Sequence, residues 1–160
     1  MKGHKCLWPH GRGLGGSSLI NYMLYTRGNR RDFDRWNETS PGWSYVDVLP
    51  YFKRSEGARM QFDNAYHGHS GPLIVEEIIY KSGIAKAFID SSNQAGYPLV
   101  DFNGREQLGV SYMQMTTNRG HRVTASQAFL NPIRKRPNLN VLTNAWVTKI
   151  VTSNGSNTLY

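Results

Sequence analysis

The sequence predicts a mixed fold, α/β to α+β, on three observations. Segments with helical spacing and cap residues alternate with short runs of strand composition, and the alternation does not follow a strict βαβα order. The 160 residues are 39% hydrophobic and 19% charged, with 16 Gly and 7 Pro, which is the composition of a packed globular chain and excludes whole-chain disorder. A chain of this length buries roughly 70% of its unfolded surface, so neither a disulfide nor a metal is required to hold it together. No apolar run approaches the ~20 residues that cross a bilayer. The opening MKGHKCLWPH lacks the apolar run of a signal peptide, so these residues are expected to carry no membrane span or export address.

The first element is expected at Gly15-Gly16-Ser17-Ser18, where flexible glycines meet hydroxyls suited to capping. A helix should run over about 18–25, apolar on most of its circumference and therefore buried, with Gly28 as its terminator. RGNRRDFDRW follows as a charged patch. Ser44-Tyr45-Val46-Asp47 has the form of a capping box, and an amphipathic helix is expected from there to about Gly57, with Pro50 early enough for a first turn. A polar loop with His67-Gly68-His69 then precedes Gly71-Pro72 and the strand-like LIVEEIIY. From Ser82 the spacing of Ile84, Ala87, Phe88 and Ser91 predicts a helix that Gly96 closes.

Residues 107–118 alternate loosely, Val110, Tyr112 and Gln114 against Ser111, Met113 and Met115, and predict a strand. Thr124 to Leu130 reads as a short helix halted by Asn131-Pro132. LNVLTNAWVTKIVTS is rich in β-branched residues and predicts a strand with a bend near Asn144.

Gly11-Arg12-Gly13-Leu14-Gly15-Gly16 satisfies G-x-G-x-x-G, but its context is not that of a Rossmann fingerprint. Leu7 and Trp8 followed by a proline stand where an apolar strand is needed, and Asp32 and Asp34 sit in a charged patch. A Walker A loop is excluded because no Lys precedes the Ser pair. The stretch suits an anion or cofactor met by the backbone N–H groups of Gly15 and Gly16 at the positive end of the following helix, and a plain Gly-rich turn has the same composition.

Nineteen Lys and Arg against eleven Asp and Glu give a net charge of +8, which favours an anionic partner of some kind. Aromatics are sparse around Arg134-Lys135-Arg136, and Arg30-Arg31 is followed by Asp32 and Asp34, so solvated faces are expected in place of a nucleic-acid groove. A non-enzymatic basic domain binding an anion or nucleic acid, and an inactive truncated product, are the competing readings. The single Cys6 excludes an internal disulfide and a thiol zinc site. His4, His10, His67, His69 and His121 are scattered, none beside an evident carboxylate or nucleophile, and the loop at 67–69 is expected to be solvated and to hold no metal. Met113 and Met115 read as core or pocket lining. The triplets Asn37-Glu38-Thr39 and Asn154-Gly155-Ser156 leave the compartment open.

The longer run GRGLGGSSLINYMLYTRGNRRDFDRW resembles, nearly position by position, the first signature of the glucose-methanol-choline (GMC) family of flavin oxidoreductases. Gly11, Arg12, Leu14, Gly15, Gly16, Ser17, Ser18, Ile20, Asn21, Tyr25, Gly28 and Asp34 fall where that signature wants them. GWSYVDVLPYFKRSE, YHGHSGPLIVEE, AFIDSSNQAGYPLVDFNG and TASQAFLNPIRKRPNLNVLTNAWVTKI are similar to successive blocks of the family, especially of its insect glucose-dehydrogenase-like members. His10, where Arg is usual, and Val123-Thr124-Ala125, where a Ser/Thr-rich run is usual, depart from the pattern.

The resemblance implies an FAD-binding portion of an oxidoreductase acting on CH-OH donors, in which an alcohol or sugar passes hydride to the flavin and an unspecified acceptor removes the electrons. It implies that Leu14, Gly15, Gly16, Ser17 and Ser18 line the cofactor, with Ser17 near its phosphates or ribityl chain. It places Asn21, Tyr22, Met23 and Leu24 beside the isoalloxazine and the Val147 backbone at the adenine. Three portions follow: 1–60 contacts FAD, 61–136 belongs to an antiparallel-sheet substrate domain, and 137–160 returns a strand to a Rossmann-like FAD domain. The family's strand-plus-GxGxxG fingerprint and its catalytic His with a His or Asn partner are not matched here. No catalytic residue is therefore expected in this chain, which alone should not turn over substrate.

Overall fold

A computed structural model describes residues 3, 5–60, 63 and 65–149. The glycine stretch leads into a four-residue 3-10 turn, Gly16–Leu19. Helix α1 spans Arg30–Thr39, α2 Tyr45–Ser55 and α3 Gly83–Gln94. The strands are short: β1 Glu56–Ala58, β2 Leu73–Glu77, β3 Gln114–Met115, β4 Thr117–Asn118 and β5 His121–Arg122. Among the described residues no helix is long and apolar enough to cross a membrane.

The charged patch is helix α1. Asn29 caps it by accepting from the Arg31 N–H, and Asp32 lies in the first turn, where a negative charge meets the positive end of the helix. Phe33 is its one half-buried apolar side chain, with Trp36 beside it 53% exposed, which is why the charge pattern concealed the helix. They stack edge to face with each other, and Phe33 meets Phe52 of α2 at 5.5 Å. Asp34 also accepts from the Tyr45 N–H at 3.0 Å, fixing the start of α2 against α1.

The capping box at Ser44 forms with both reciprocal bonds, an arrangement worth ~0.5–2 kcal/mol to a helix. Pro50 lies beyond the first turn, inside α2, where it removes one backbone bond without ending the helix. Instead α2 stops at Ser55 and runs directly into β1. Strand β1 pairs parallel to β2 with Ala58 opposite Val75, and β2 pairs antiparallel to β3 with Glu76 opposite Met115. The expected strand at LIVEEIIY and the Ser82-capped helix α3 both form.

Residues 107–118 form less strand than their alternation predicts, only β3 and β4 plus an isolated bridge from Leu99 to Val110. The chain turns back after β4 through Arg119 and Gly120, both at positive φ, the two-residue turn whose twist suits an antiparallel hairpin with β5. Glu76 accepts from the N–H groups of both turn residues. Beyond it, Ser126–Leu130 winds as a π-helical turn and continues as a 3-10 turn over Asn131–Ile133. Asn131-Pro132 does not halt the winding, because proline is compatible with the first positions of a turn.

Two further expectations fail. The apolar run at 18–25 is not a buried helix: after Leu19 the chain leaves helical geometry, Met23 takes φ 62°, and Leu24 bridges to Met115. Tertiary pairing overrides local pattern here, since the Met23 carbonyl accepts from Thr116 and the Tyr25 N–H donates to Gln114. The strand expected in LNVLTNAWVTKIVTS also fails to form over 139–149, and its residues 150–153 lie outside the described set. β-branched composition suits a pleated surface but supplies no partner edge, and Asn144 does turn the chain, at φ 54°.

The interior divides by chemistry. Val75, Ala58, Tyr45, Ile89 and Ala128 are its buried apolar side chains, whereas Arg27, Glu56, His67, Asn103, Gln114, Thr117 and Thr124 are buried polar ones. The polar group lies directly behind the segment 21–27.

Candidate functional site

The glycine loop is shaped by close approach of its own backbone. A Cβ at Gly11 would stand 2.2 Å from the Gly16 carbonyl oxygen, so no other residue fits there. The Gly16 N–H donates to the Gly13 carbonyl, the Ser18 N–H to Gly15, and the Gly11 N–H to the Ser17 hydroxyl oxygen. The Ser18 hydroxyl donates to the Gly15 carbonyl at 2.5 Å and accepts from the Ala125 N–H at 2.9 Å. Ser18 is thus a stitch between the loop and the turn at 126–130, while Leu14 and Ser17 are exposed. The helix that was to present its positive end to an anion is only a four-residue 3-10 turn, too short for an aligned macrodipole.

Downstream of the loop, Asn21 shapes the chain. Its side-chain oxygen accepts from the Met23 N–H at 3.1 Å, a local turn that holds Met23 in the left-handed region. The Arg122 guanidinium, on β5, donates to that oxygen and to the Ser18 carbonyl. The resulting ribbon carries its apolar groups outward: Ile20 is 54% exposed, Tyr22 87% and Leu24 50%. Val147 is 78% exposed in the irregular stretch before residue 150, and among the described residues no hydrogen bond ties it to the loop.

Behind the ribbon stands a continuous buried network. The Tyr25 carbonyl accepts from Asn103 Nδ2, and the Arg27 N–H donates to Asn103 Oδ1. Asn103 Nδ2 also meets Gln114 Oε1, and Gln114 Nε2 donates to Asp101 Oδ1 at 2.6 Å. Asp101 Oδ2 lies 2.7 Å from His67 Nε2, and His67 Nδ1 lies 3.0 Å from Glu56 Oε1. The Arg27 guanidinium then closes on Glu56 at 2.6 Å and on the Tyr66 carbonyl. Among the described residues no buried side-chain nitrogen or oxygen lacks a partner.

His67 corrects the expectation of a solvated loop: it is 1% exposed and sits between two carboxylates. Gly68 makes this possible, because a Cβ there would stand 1.8 Å from the Lys53 carbonyl, and the chain must pass that close for the ring to turn inward. Burial pushes the His67 pKa down, but the hydrogen bonds to Asp101 and Glu56 outweigh it, and the net shift is upward. The same bonds act in reverse on Asp101: burial pushes its carboxyl up, and the bonds from His67 and Gln114 hold it below the usual range. Tyr25 is raised, chiefly by burial.

Of the residues assigned to a flavin, Leu14, Ser17, Asn21, Tyr22 and Leu24 are exposed, Gly15, Gly16, Ser18 and Met23 are half-buried, and Val147 shares no hydrogen bond with them among the described residues. The sequence reading missed Arg27, Glu56, Asp101, Asn103, Gln114 and Arg122. Their one local signal is Asp101-Phe102-Asn103-Gly104, a polar turn in which the Asp101 side chain accepts from the Asn103 N–H.

With this geometry in place, comparison with known proteins is direct. A profile of the GMC oxidoreductase family matches residues 1–159. The chain belongs to that family. It is 40% identical over 151 residues to glucose dehydrogenase (FAD, quinone) of Drosophila melanogaster, covering 92% of this chain and 24% of that protein. It is 44% identical over 149 residues to oxygen-dependent choline dehydrogenase of Sinorhizobium fredii, covering 92% of this chain and 27% of that protein. The chain thus spans about a quarter of the length of the curated relatives it matches. Among solved structures it is similar to pyridoxine 4-oxidase from Mesorbium loti, with TM-score 0.78, 34% identity, and coverage of 84% and 27% of the two chains. It also matches an FAD-dependent oxidoreductase from Chaetomium thermophilum, with TM-score 0.80, 26% identity, and coverage of 94% and 30%. The fold is therefore the mixed α/β fold of part of the GMC oxidoreductases.

Proposed function

We propose that the chain forms the flavin-contacting part of an FAD-dependent oxidoreductase acting on CH-OH donors. The observation that carries this reading is the ribbon from Leu14 to Leu24, which sets apolar side chains outward beside backbone polar groups and is supported from behind by fully paired side chains. A flat, bicoloured ligand such as an isoalloxazine needs an apolar face and a few fixed hydrogen-bonding groups at its edge, and the ribbon offers both. When bound, the flavin supplies a hydride acceptor.

On this reading Leu14, Gly15, Gly16 and Ser17 approach the cofactor through backbone and hydroxyl, and Ser18 acts by stitching the loop. Asn21, Tyr22, Met23 and Leu24 meet the ring system, and Val147 the adenine. Residues 1–60 supply the cofactor contacts, 61–136 the substrate side and 137–160 the return toward the adenine. The substrate is an alcohol or sugar. The relatives' names carry two acceptors, quinone and oxygen, so the acceptor is left unassigned.

The test is retention of FAD by the purified protein, followed by quenching of flavin fluorescence, beside the Gly11→Ala variant. The wild type is expected to bind and the variant to lose binding while keeping its far-UV circular dichroism. Failure of the wild type to take up FAD, or equal uptake by both, overturns the reading.

A further inference from the structure

The position of His67 fixes its protonation state by geometry. Nδ1 faces both oxygens of Glu56 at 3.0 and 3.1 Å, and Nε2 faces Asp101 Oδ2 at 2.7 Å. Ionised carboxylates only accept, and a neutral imidazole carries a single N–H. A neutral ring would set lone pair against lone pair on one side, whereas the imidazolium donates on both. Charge balance agrees. Arg27 and protonated His67 together match Glu56 and Asp101, and a neutral ring would leave a net negative charge in a buried cluster.

The other titratable and charged groups around the cluster leave that balance intact. The Tyr25 hydroxyl accepts from Arg27, and Tyr66 offers Arg27 its carbonyl. Arg105 bonds the Tyr66 side chain, His69 meets the Ala58 carbonyl, and Lys53 donates to the Ala65 carbonyl from the end of α2. Tyr45, at the start of α2, reaches the cluster through coulombic interactions, with Arg27 first and with Asp101 more weakly.

Asp101 transmits what His67 fixes. Its second oxygen accepts from Gln114 Nε2 and from the Asn103 N–H, and Asn103 in turn holds the Tyr25 carbonyl and the Arg27 N–H. On the other flank Glu56 holds the Arg27 guanidinium and the Gly68 N–H. One imidazolium therefore stands at the junction of two bond paths that converge on 25–27, immediately after Tyr22, Met23 and Leu24.

We propose that His67 is a positioning residue: as an imidazolium clamped between Glu56 and Asp101, it locks the backbone of residues 22–27 in the shape presented to the flavin. The last step rests on the proposed flavin contacts, whereas the lock itself does not. Loss of one His67 proton leaves one of the two carboxylates facing a ring lone pair, opens the clamp on that side and loosens this segment ahead of the rest of the fold.

The experiment uses the purified protein without added flavin, then with it. The 15N shifts of the His67 ring are expected to report two protonated nitrogens at neutral pH, above the 6.5 at which an ordinary histidine loses half its protons. A neutral tautomer at neutral pH overturns the proposal. Amide exchange at Tyr25 and Arg27 is expected to rise on the order of tenfold in His67→Gln while α3 is unchanged. Unchanged exchange at those amides overturns it. If the variant unfolds, the wild-type pH series decides: exchange at 25–27, corrected for base catalysis, must rise selectively as the ring loses its proton, and a uniform rise overturns the lock. Flavin added last separates the two readings. Loosened amides with undiminished FAD affinity support the lock and overturn the contact of 22–24 with flavin, and loosened amides with weakened affinity support both.

Discussion

The interior between β1, His67 and Gln114 and the surface ribbon from Leu19 to Leu24 reverse the usual distribution of chemistry. Charged and amide side chains are buried on one side of a few residues of backbone, and leucine, isoleucine and tyrosine are exposed on the other. The two can coexist because they are held by different means. Burying ions is costly, and here each one is matched by a partner of opposite charge and by further donors. An apolar core tolerates repacking, but a polar one depends on distance and angle at every bond, so it holds its neighbouring backbone to one geometry. The ribbon, with its apolar side chains exposed, is held in shape by hydrogen bonds to Arg122, Gln114 and Thr116.

Breaking the polar side should have the largest effect. Arg27→Met removes one of the two cations that hold buried Glu56 and should lower the unfolding free energy by ~3–5 kcal/mol in urea titration. A loss under ~1 kcal/mol would mean that Glu56 finds water or another cation, and the contrast between the two regions would weaken.

A smaller effect should follow pH, in opposite directions for two groups. His67 is raised in the folded chain, so its contribution is complete below the ordinary value of 6.5 and is lost as pH rises through the folded value. Asp101 is lowered, so its contribution is complete above the ordinary 3.8 and is lost as pH falls through the folded value. Stability measured across pH should therefore form a dome with both flanks set by one buried contact, and Asp101→Asn should flatten the two together. Loss of one flank alone would separate the two groups.

The smallest effect on stability belongs to the ribbon. Ile20→Asn and Leu24→Asn replace exposed side chains and should change unfolding free energy by no more than about 0.5 kcal/mol. The same variants should weaken FAD binding, and a stability loss equal to that of Arg27→Met would show that the ribbon packs as core.

What could be read from the sequence follows the range of the interactions. Ser44 with Asp47 and Ser82 with Ala85 are contacts over three residues, and the helices they cap, α2 and α3, were legible. α1 was concealed by its own charges although Asn29 capped it, since Phe33 and the half-exposed Trp36 packed against it are its only apolar side chains. His67 was not legible as a buried cation because its carboxylates are 11 and 34 residues distant. The glycine loop and the family it belongs to were legible as a pattern of residue types. The direction of Ile20 and Leu24 was not, because pairing with Gln114 and Thr116, some 90 residues on, overrode the helical spacing.

The bond from the Ala125 N–H to Ser18 spans 107 residues, and it has a consequence in time. At ordinary rates of synthesis the glycine loop leaves the ribosome about 5–20 s before the residue that stitches it. During that interval its backbone polar groups meet only water. The loop is thus made well before it acquires its form, and a cofactor that needs the finished loop can enter only after Ala125 has been added and has folded back onto Ser18.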